Sequence, residues 1–190
     1  MYEDLHEHPI AGVDEVGRGA IAGPVVACAV IMPKHSLIEG VYDSKKLSKG
    51  KRALFAKKIA EIAVCFSYGV VDAKKIDEIN ILRATLYAME IAIDGLSPKP
   101  KTVLVDGIHS PSTLFPVVCV KSGDTCSFSI AAASILAKVY RDGLMEKLHE
   151  VHPDYGFLSH KGYGTKRHFE AVEKFGVSHM HRKSFIKNPI

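Results

Sequence analysis

Apolar positions in this chain follow two different periods. Short runs rich in Val, Ile and Ala occupy 9–16, 23–32, 64–72, 102–106 and 116–120. Their length and β-branched content predict strands, because such side chains pack well on a pleated surface. Over 75–94 the apolar residues instead recur three and four apart, with Ile79, Leu82, Leu86, Met89 and Ile93 forming one helical stripe that Gly95 is placed to end. Residues 50–63 and 166–175 read as shorter helices. A long helix near 127–149 has Ser127 as its N-cap and Ile135, Leu136 and Val139 turned inward. The first three strands predict an antiparallel start, and the order βββα(α)ββα gives an α/β fold, a mixed sheet flanked by helices.

The polar residues that interrupt these runs carry the chemistry. In AGVDEVGRGAIAGPVVACAVI (11–31), two apolar stretches flank Asp14, Glu15, Gly17, Arg18 and Gly19. Gly17, Gly19, Gly23 and Pro24 mark a tight reversal between antiparallel neighbours. A carboxylate at the end of a buried strand is costly unless a cation meets it. Arg18 could be that cation, in which case an Asp14–Arg18 pair merely closes the turn. The same arrangement recurs, however: TVLVD (102–106) ends in Asp106 followed by Gly107, and Asp124 follows the run PVVCV (116–120). Ligand sites in α/β sheets lie beyond the carboxyl ends of strands, so neighbouring strands would bring Asp14 and Asp106 together. Adjacent residues on a strand face opposite ways, so Asp14 and Glu15 share a site only if the strand ends or bulges there. Clustered carboxylates suit Mg²⁺ or Mn²⁺, hard cations that take oxygen ligands.

Composition narrows the setting. With 190 residues and 47% hydrophobic content, the chain is long enough for one sizeable core. No apolar run is long enough to span a bilayer, and the polar, acidic start MYEDLHEHP is unlike a signal peptide. Cys28, Cys65, Cys119 and Cys126 form no C-x-x-C pair, which predicts reduced thiols in a cytoplasmic protein. Net charge is +4 and uneven: residues 157–190 hold seven Lys and Arg against two Glu, leaving 18 basic against 19 acidic residues elsewhere. A basic C-terminal segment beside an acid cluster suits a polyanion held near metal ions, and on charge alone a solvated tail is equally consistent. His6 and His8, and His179 and His181, read as surface residues.

Five segments in this order resemble ribonuclease HII: DEVGRG (14–19), DSKKLS (43–48), VDG (105–107), KSGD with SIAAASILAKVYRD (121–142), and HKGYGT (160–165). The resemblance runs from about residue 9 to about residue 185. It implies a ribonuclease H-like fold over 1–150 with a small, basic, helical C-terminal segment, 151–190, packed on it in a single structural domain. It implies an endonuclease that hydrolyses the RNA strand of RNA–DNA hybrids, single embedded ribonucleotides included, leaving 5′-phosphate and 3′-hydroxyl ends. Two metal ions about 4 Å apart would activate a water and stabilise the leaving oxygen.

Carried onto this chain, the resemblance makes Asp14, Glu15, Asp106 and Asp124 the catalytic and metal-binding residues. Asp142 is a further candidate, read here as a helix-surface partner of Lys138 or Arg141. Gly17, Arg18 and Gly19 would read the ribose 2′-hydroxyl through the backbone, and that hydroxyl is what separates RNA from DNA. Tyr163 would pack on the neighbouring sugar. Ser44, Lys45 and Lys46 are candidate phosphate contacts, as are Ser127, Ser129 and Ser134 near the start of a helix. Ser122 departs from the pattern, standing where many relatives carry glycine. Partners expected are RNA–DNA hybrid and ribonucleotide-containing duplex DNA, with no membrane and a monomeric chain serving replication and repair. A DNA-directed nuclease of the same fold is the first competing function, and the Gly-Arg-Gly element and Tyr163 weigh against it. A non-catalytic hybrid-binding protein is the second, and it would not need so many acids facing phosphate. The sister type, ribonuclease HIII, carries an added N-terminal domain, whereas about eight residues precede the first strand here.

Overall fold

The computed structural model describes residues 2–41 and 47–186. The strands are β1 (Ile10–Val16), β2 (Val25–Ile31), β3 (Cys65–Val71), β4 (Thr102–Asp106) and β5 (Val117–Val120). The helices are α1 (Lys49–Ile62), α2 (Ala73–Ile79), α3 (Ile81–Asp94), α4 (Phe128–Val151), α5 (Phe157–His160) and α6 (Lys166–Phe175). Helix α1 falls between β2 and β3, so the first three strands are not consecutive elements as expected. The expected helix over 75–94 is two helices. Asn80 divides them with a φ of 66°, and its side chain accepts from the Arg83 amide to cap α3.

The sheet order is β3-β2-β1-β4-β5. β1, β2 and β3 pair antiparallel, whereas β4 runs parallel to β1 and β5 parallel to β4. The parallel pair β1–β4 carries Asp14 and Asp106 to the same end of the sheet. Its register sets Val13 opposite Val105, one residue before each acid.

Side-chain alternation assigns the two faces. Ala11, Val13, Val103 and Val105 pack with Ala84, Ala88, Ala92 and Met89 of α3. Cys28 and Val30 pack with Ala132, Ile135 and Leu136 of α4 on the other face. Both helices lie close because glycines seat them: a Cβ on Gly12 would stand 2.1 Å from the Ser129 carbonyl carbon, and one on Gly69 1.8 Å from the Ala88 oxygen. This close seat holds α4 across the strand that carries Asp14. Ser127 caps α4, as expected, by accepting from the Ile130 amide.

The N-terminal turn closes over the start of that helix. Buried Glu3 accepts from Ser127 Oγ at 2.8 Å, the Ser129 amide at 2.9 Å and Ser129 Oγ at 3.0 Å. A carboxylate thus occupies the positive end of the helix. Ser127 and Ser129 are buried beneath it and are not available to a substrate phosphate, contrary to the expectation above. His6 and His8 are half-buried rather than solvated, each with an Nε2 out of reach of solvent.

The C-terminal segment is woven into the β1–β2 connection. Arg182 donates its amide to Ile21 O, Met180 O accepts from the Gly23 amide, and His181 bridges Ala22. Arg182 and His181 are buried. His179 is exposed, so only His181 departs from the expected pair of surface histidines. The charge expected of a basic tail is correspondingly reduced, since Arg182 is buried and Lys161 pairs with Glu146 at 2.9 Å.

Candidate active site

The carboxyl ends of β1 and β4 open on a cavity of about 450 Å³ lined by Asp14, Glu15, Asp106 and Asp124 together with Arg52, Ser134, Lys138 and Tyr163. The four acids expected to share one site all line this cavity. Asp142 does not line the cavity. It pairs with Lys138 at 2.6 Å, the helix-surface reading of that residue.

Of the two routes by which Asp14 and Glu15 could share a site, a strand end or a bulge, the structure shows the strand end. β1 pairs with β2 residue for residue through Val16, so Asp14, in register with Gly12, faces α4 while Glu15 faces α3. On its other side β1 pairs with β4 only as far as Val13, so both faces open onto the same space beyond that edge. Asp106, in register with Leu104 against Ile130, lies on the α4 face with Asp14. Glu15 and Asp106 also line a second cavity of about 290 Å³ on the α3 side, with Leu82, Leu86 and Met89.

Each acid is held by its local structure. Asp14 is 6% exposed, and its Oδ1 accepts from the Glu15 amide at 2.7 Å. Burial, then the charge of Glu15, raises its pKa well above the usual carboxylate value, against a bond from Ser134. Glu15 is also raised by burial, partly offset by Arg18, which pairs with it at 3.3 Å. Arg18 therefore serves Glu15 rather than Asp14. Asp106 Oδ1 accepts from the Gly123 amide at 2.7 Å. Asp124 is buried in a 3-10 turn, Gly123–Thr125, which follows Ser122 in a left-handed conformation (φ 56°, ψ 41°). That conformation explains why a glycine would suit the position of Ser122.

The two elements expected to read the sugar are joined by backbone. The amides of Ile21 and Ala22 both donate to Gly162 O, and Ala20 bridges Tyr163. Gly17 has a φ of 93°, and a Cβ there would meet Arg141 Nε at 2.1 Å, so glycine is required structurally. Gly19 is exposed, with nothing within 4 Å of an added Cβ. Ser44, Lys45 and Lys46 lie outside the described residues.

Behind Tyr163 lies a histidine cluster that no local pattern in the sequence marks. His168 Nδ1 bonds Tyr163 O at 2.9 Å, and its Nε2 faces His181 Nε2 at 3.1 Å. His160 stacks on His168 with centroids 4.2 Å apart. Burial, with smaller repulsion from neighbouring histidines, lowers His168 and His181 to about 4. A histidine whose folded pKa is depressed gives stability that is present above its unfolded value near 6.5 and is lost as pH falls toward the folded one. The thermal midpoint should therefore fall between pH 7 and pH 4.5, at ~1.4 kcal/mol for each tenfold loss of proton affinity on folding. Asp14 and Glu15, both raised, have the opposite slope, so the measurement is made on the double variant Asp14→Asn/Glu15→Gln. A flat midpoint in that variant would contradict the buried, neutral pair.

The family model described as Ribonuclease HII matches residues 11–188. Ribonuclease HII of Clostridioides difficile is 52% identical over 179 residues, covering 94% of this chain and 70% of the relative. That of Syntrophus aciditrophicus is 50% identical over 184 residues, covering 97% and 86%. Among solved structures, ribonuclease H2 of Pyrococcus horikoshii OT3 aligns with a TM-score of 0.77 at 27% identity, covering 94% of this chain and 99% of that one. The ribonuclease HII in the PCNA:RNase HII complex from Archaeoglobus fulgidus aligns with a TM-score of 0.79 at 28% identity, covering 93% and 94%.

Proposed function

The chain belongs to the ribonuclease HII family, endoribonucleases that cut RNA in RNA–DNA hybrids, and from that premise we propose that Asp14, Glu15, Asp106 and Asp124 hold the divalent cations of the reaction. The observation that carries this reading is the convergence of four carboxylates on one cavity, two of them with raised pKa values. Such acids take up either protons or cations, and their oxygen chemistry fits Mg²⁺ or Mn²⁺. Among the described residues no three His, Cys, Asp or Glu side chains form a group that could hold an ion as they stand. The cavity therefore offers the donors without a finished coordination shell. When bound, the cations supply Lewis-acid stabilisation of charge on the scissile phosphate.

The protein's own residues do the rest. Ser134 and the Glu15 amide hold Asp14, and the Gly123 amide holds Asp106, so the donors are oriented before substrate arrives. Arg52 and Lys138 bring positive charge to the same cavity and offset repulsion of the incoming phosphate. Gly17-Arg18-Gly19 and Tyr163 face the ribonucleotide, with Ser44, Lys45 and Lys46 on neighbouring phosphates. The preferred substrate is a duplex with a single embedded ribonucleotide, cut on its 5′ side to leave 5′-phosphate and 3′-hydroxyl ends. The C-terminal segment completes the same single domain, in keeping with its buried Arg182. No helix among the described residues is long and apolar enough to cross a membrane. We propose, from the substrate of the family, that the protein works in the cytoplasm, and that it does so as a monomer.

The test is cleavage of a duplex carrying one ribonucleotide. With Mg²⁺ or Mn²⁺ it is cut, and excess EDTA reduces the rate by at least about a thousandfold, since the cations supply several kcal/mol of stabilisation at ~1.4 kcal/mol per tenfold. Full activity in EDTA would rule out the metal-dependent reading.

A further inference from the structure

Two arginines outside the proposed chemistry are among the most deeply buried side chains in the molecule. Arg141 of α4 and Arg182, which precedes the final turn, are both 0% exposed. Neither forms an ion pair with a carboxylate among the described residues. Instead they donate to backbone carbonyls. Arg141 gives Nε to Pro24 O at 2.9 Å, Nη1 to Lys161 O at 3.0 Å and Nη2 to Ala22 O at 3.4 Å. Arg182 gives Nε and Nη2 to Gly23 O at 3.0 and 2.9 Å and Nη1 to Arg18 O at 2.9 Å. All but Lys161 O belong to the connection between β1 and β2.

Burying two like charges near one another is expensive. Burial, followed by repulsion from Arg141, brings Arg182 down to about 9, with Tyr163 and then Asp77 acting the other way. Satisfying carbonyls does not by itself require full charges. What these charges do is fix which way the connection faces. Its carbonyls at 18 and 22–24 turn inward onto the guanidiniums, and its amides at 20–23 are taken by Gly17 O, Gly162 O and Met180 O. The amides of Gly17, Arg18 and Gly19 have no backbone acceptor among the described residues. Arg141 also lies 5.4 Å from the Tyr163 ring centroid, so one guanidinium touches both sugar-reading elements.

We propose that Arg141 and Arg182 are positioning residues for substrate reading, holding the 17–24 connection with its carbonyls inward and its leading amides not taken by backbone acceptors, over a buried positive charge that favours the sugar–phosphate backbone. The proposal rests on the reading that Gly17-Arg18-Gly19 and Tyr163 contact the ribonucleotide.

Arg141→Lys and Arg182→Lys keep the charge but lose the planar fork that reaches several carbonyls at once. Each should lower kcat on a single-ribonucleotide duplex by about tenfold or more with a smaller change in KM, the signature of misplaced groups. Each should also narrow the preference for one ribonucleotide over four. Tyr155→Phe is the stability control. It gives up the hydroxyl bond to Gly176 O at 2.9 Å in the same C-terminal packing, away from the cavity, and should lower Tm while leaving kcat and preference unchanged. Arginine variants that lose Tm but keep wild-type kcat and preference overturn the proposal. Gly19→Ala separates the two claims. If it loses the preference while the arginine variants are silent, the ribose reading stands and the positioning role falls; if it too is silent, the ribose reading itself fails. Should the arginine variants not fold, the Nε–H resonances of Arg141 and Arg182 are followed in Asp106→Asn as a single-ribonucleotide duplex binds. Both should shift, and static resonances beside shifting Gly17 and Gly19 amides overturn the proposal.

Discussion

Asp14→Asn and Asp106→Asn should each lower cleavage of a single-ribonucleotide duplex by about a thousandfold or more while leaving the fold intact. The loss follows from removing a charged cation ligand, worth several kcal/mol at ~1.4 kcal/mol per tenfold. The fold survives because each amide keeps the acceptor its surroundings use: Oδ1 of residue 14 for the Glu15 amide and Oδ1 of residue 106 for the Gly123 amide. Stability without metal should move the other way. The folded pKa of Asp14 is raised, so its contribution is full below the unfolded value near 3.9 and is lost as pH rises through the folded one. Asn has no charge to lose, and Asp14→Asn should be more stable than wild type in EDTA, by a margin that widens from pH 4 upward. Added Mg²⁺ should raise the wild-type midpoint by mass action and move the variant less. Thermal melts with and without Mg²⁺, alongside cleavage rates, check both halves. Variants that cleave at wild-type rates would show the site to be misplaced.

How much of this was legible in the sequence depends on how local each cause is. The five strands were readable because Val- and Ile-rich runs report burial directly. The meeting of Asp14 and Asp106 followed from two similar strand endings, which a parallel β1–β4 pair then joined. The division of 75–94 at Asn80 was not readable, because the apolar stripe continues across the break and only the positive φ ends it. For the shared site of Asp14 and Glu15 the sequence leaves two causes open, a strand end or a bulge, and the fold takes the first: β1 ends its pairing with β4 at Val13 and itself ends at Val16. Buried polar contacts were the least accessible. Glu3 reaches Ser127 and Ser129 across more than 120 residues, and Arg141, Arg182, His168 and His181 look like surface residues until the packing around them is known. A charged side chain is exposed by default, so burial of one is a tertiary fact with no local signature.

The largest effect on specificity is expected at Tyr163. Its ring lines the cavity with the four acids, and its backbone is fixed by the His160 and His168 contacts and by the bridge to Ala20. Nothing in this backbone support needs the phenol, whereas the ring covers Arg141. Tyr163→Ala should lower cleavage of a single-ribonucleotide duplex by about 10- to 100-fold, the scale of a reacting group displaced by about 1 Å. Tyr163→Phe should retain most activity, because it keeps the packing surface and the face presented to the guanidinium. The preference should follow the same order. A ring held against the deoxyribose next to the ribonucleotide would be crowded by a 2′-hydroxyl there, so the wild type should cut an RNA–DNA junction better than a uniform RNA strand in a hybrid. Tyr163→Ala removes the source of that crowding and should lose much of the difference. Matched duplexes with one ribonucleotide, four or none, beside a hybrid with an unbroken RNA strand, provide the measurement. An all-DNA duplex cut as fast as the others, or a single ribonucleotide left uncut, would remove ribose reading from this site. A Tyr163→Phe protein as impaired as Tyr163→Ala would instead transfer the role from the ring to the hydroxyl.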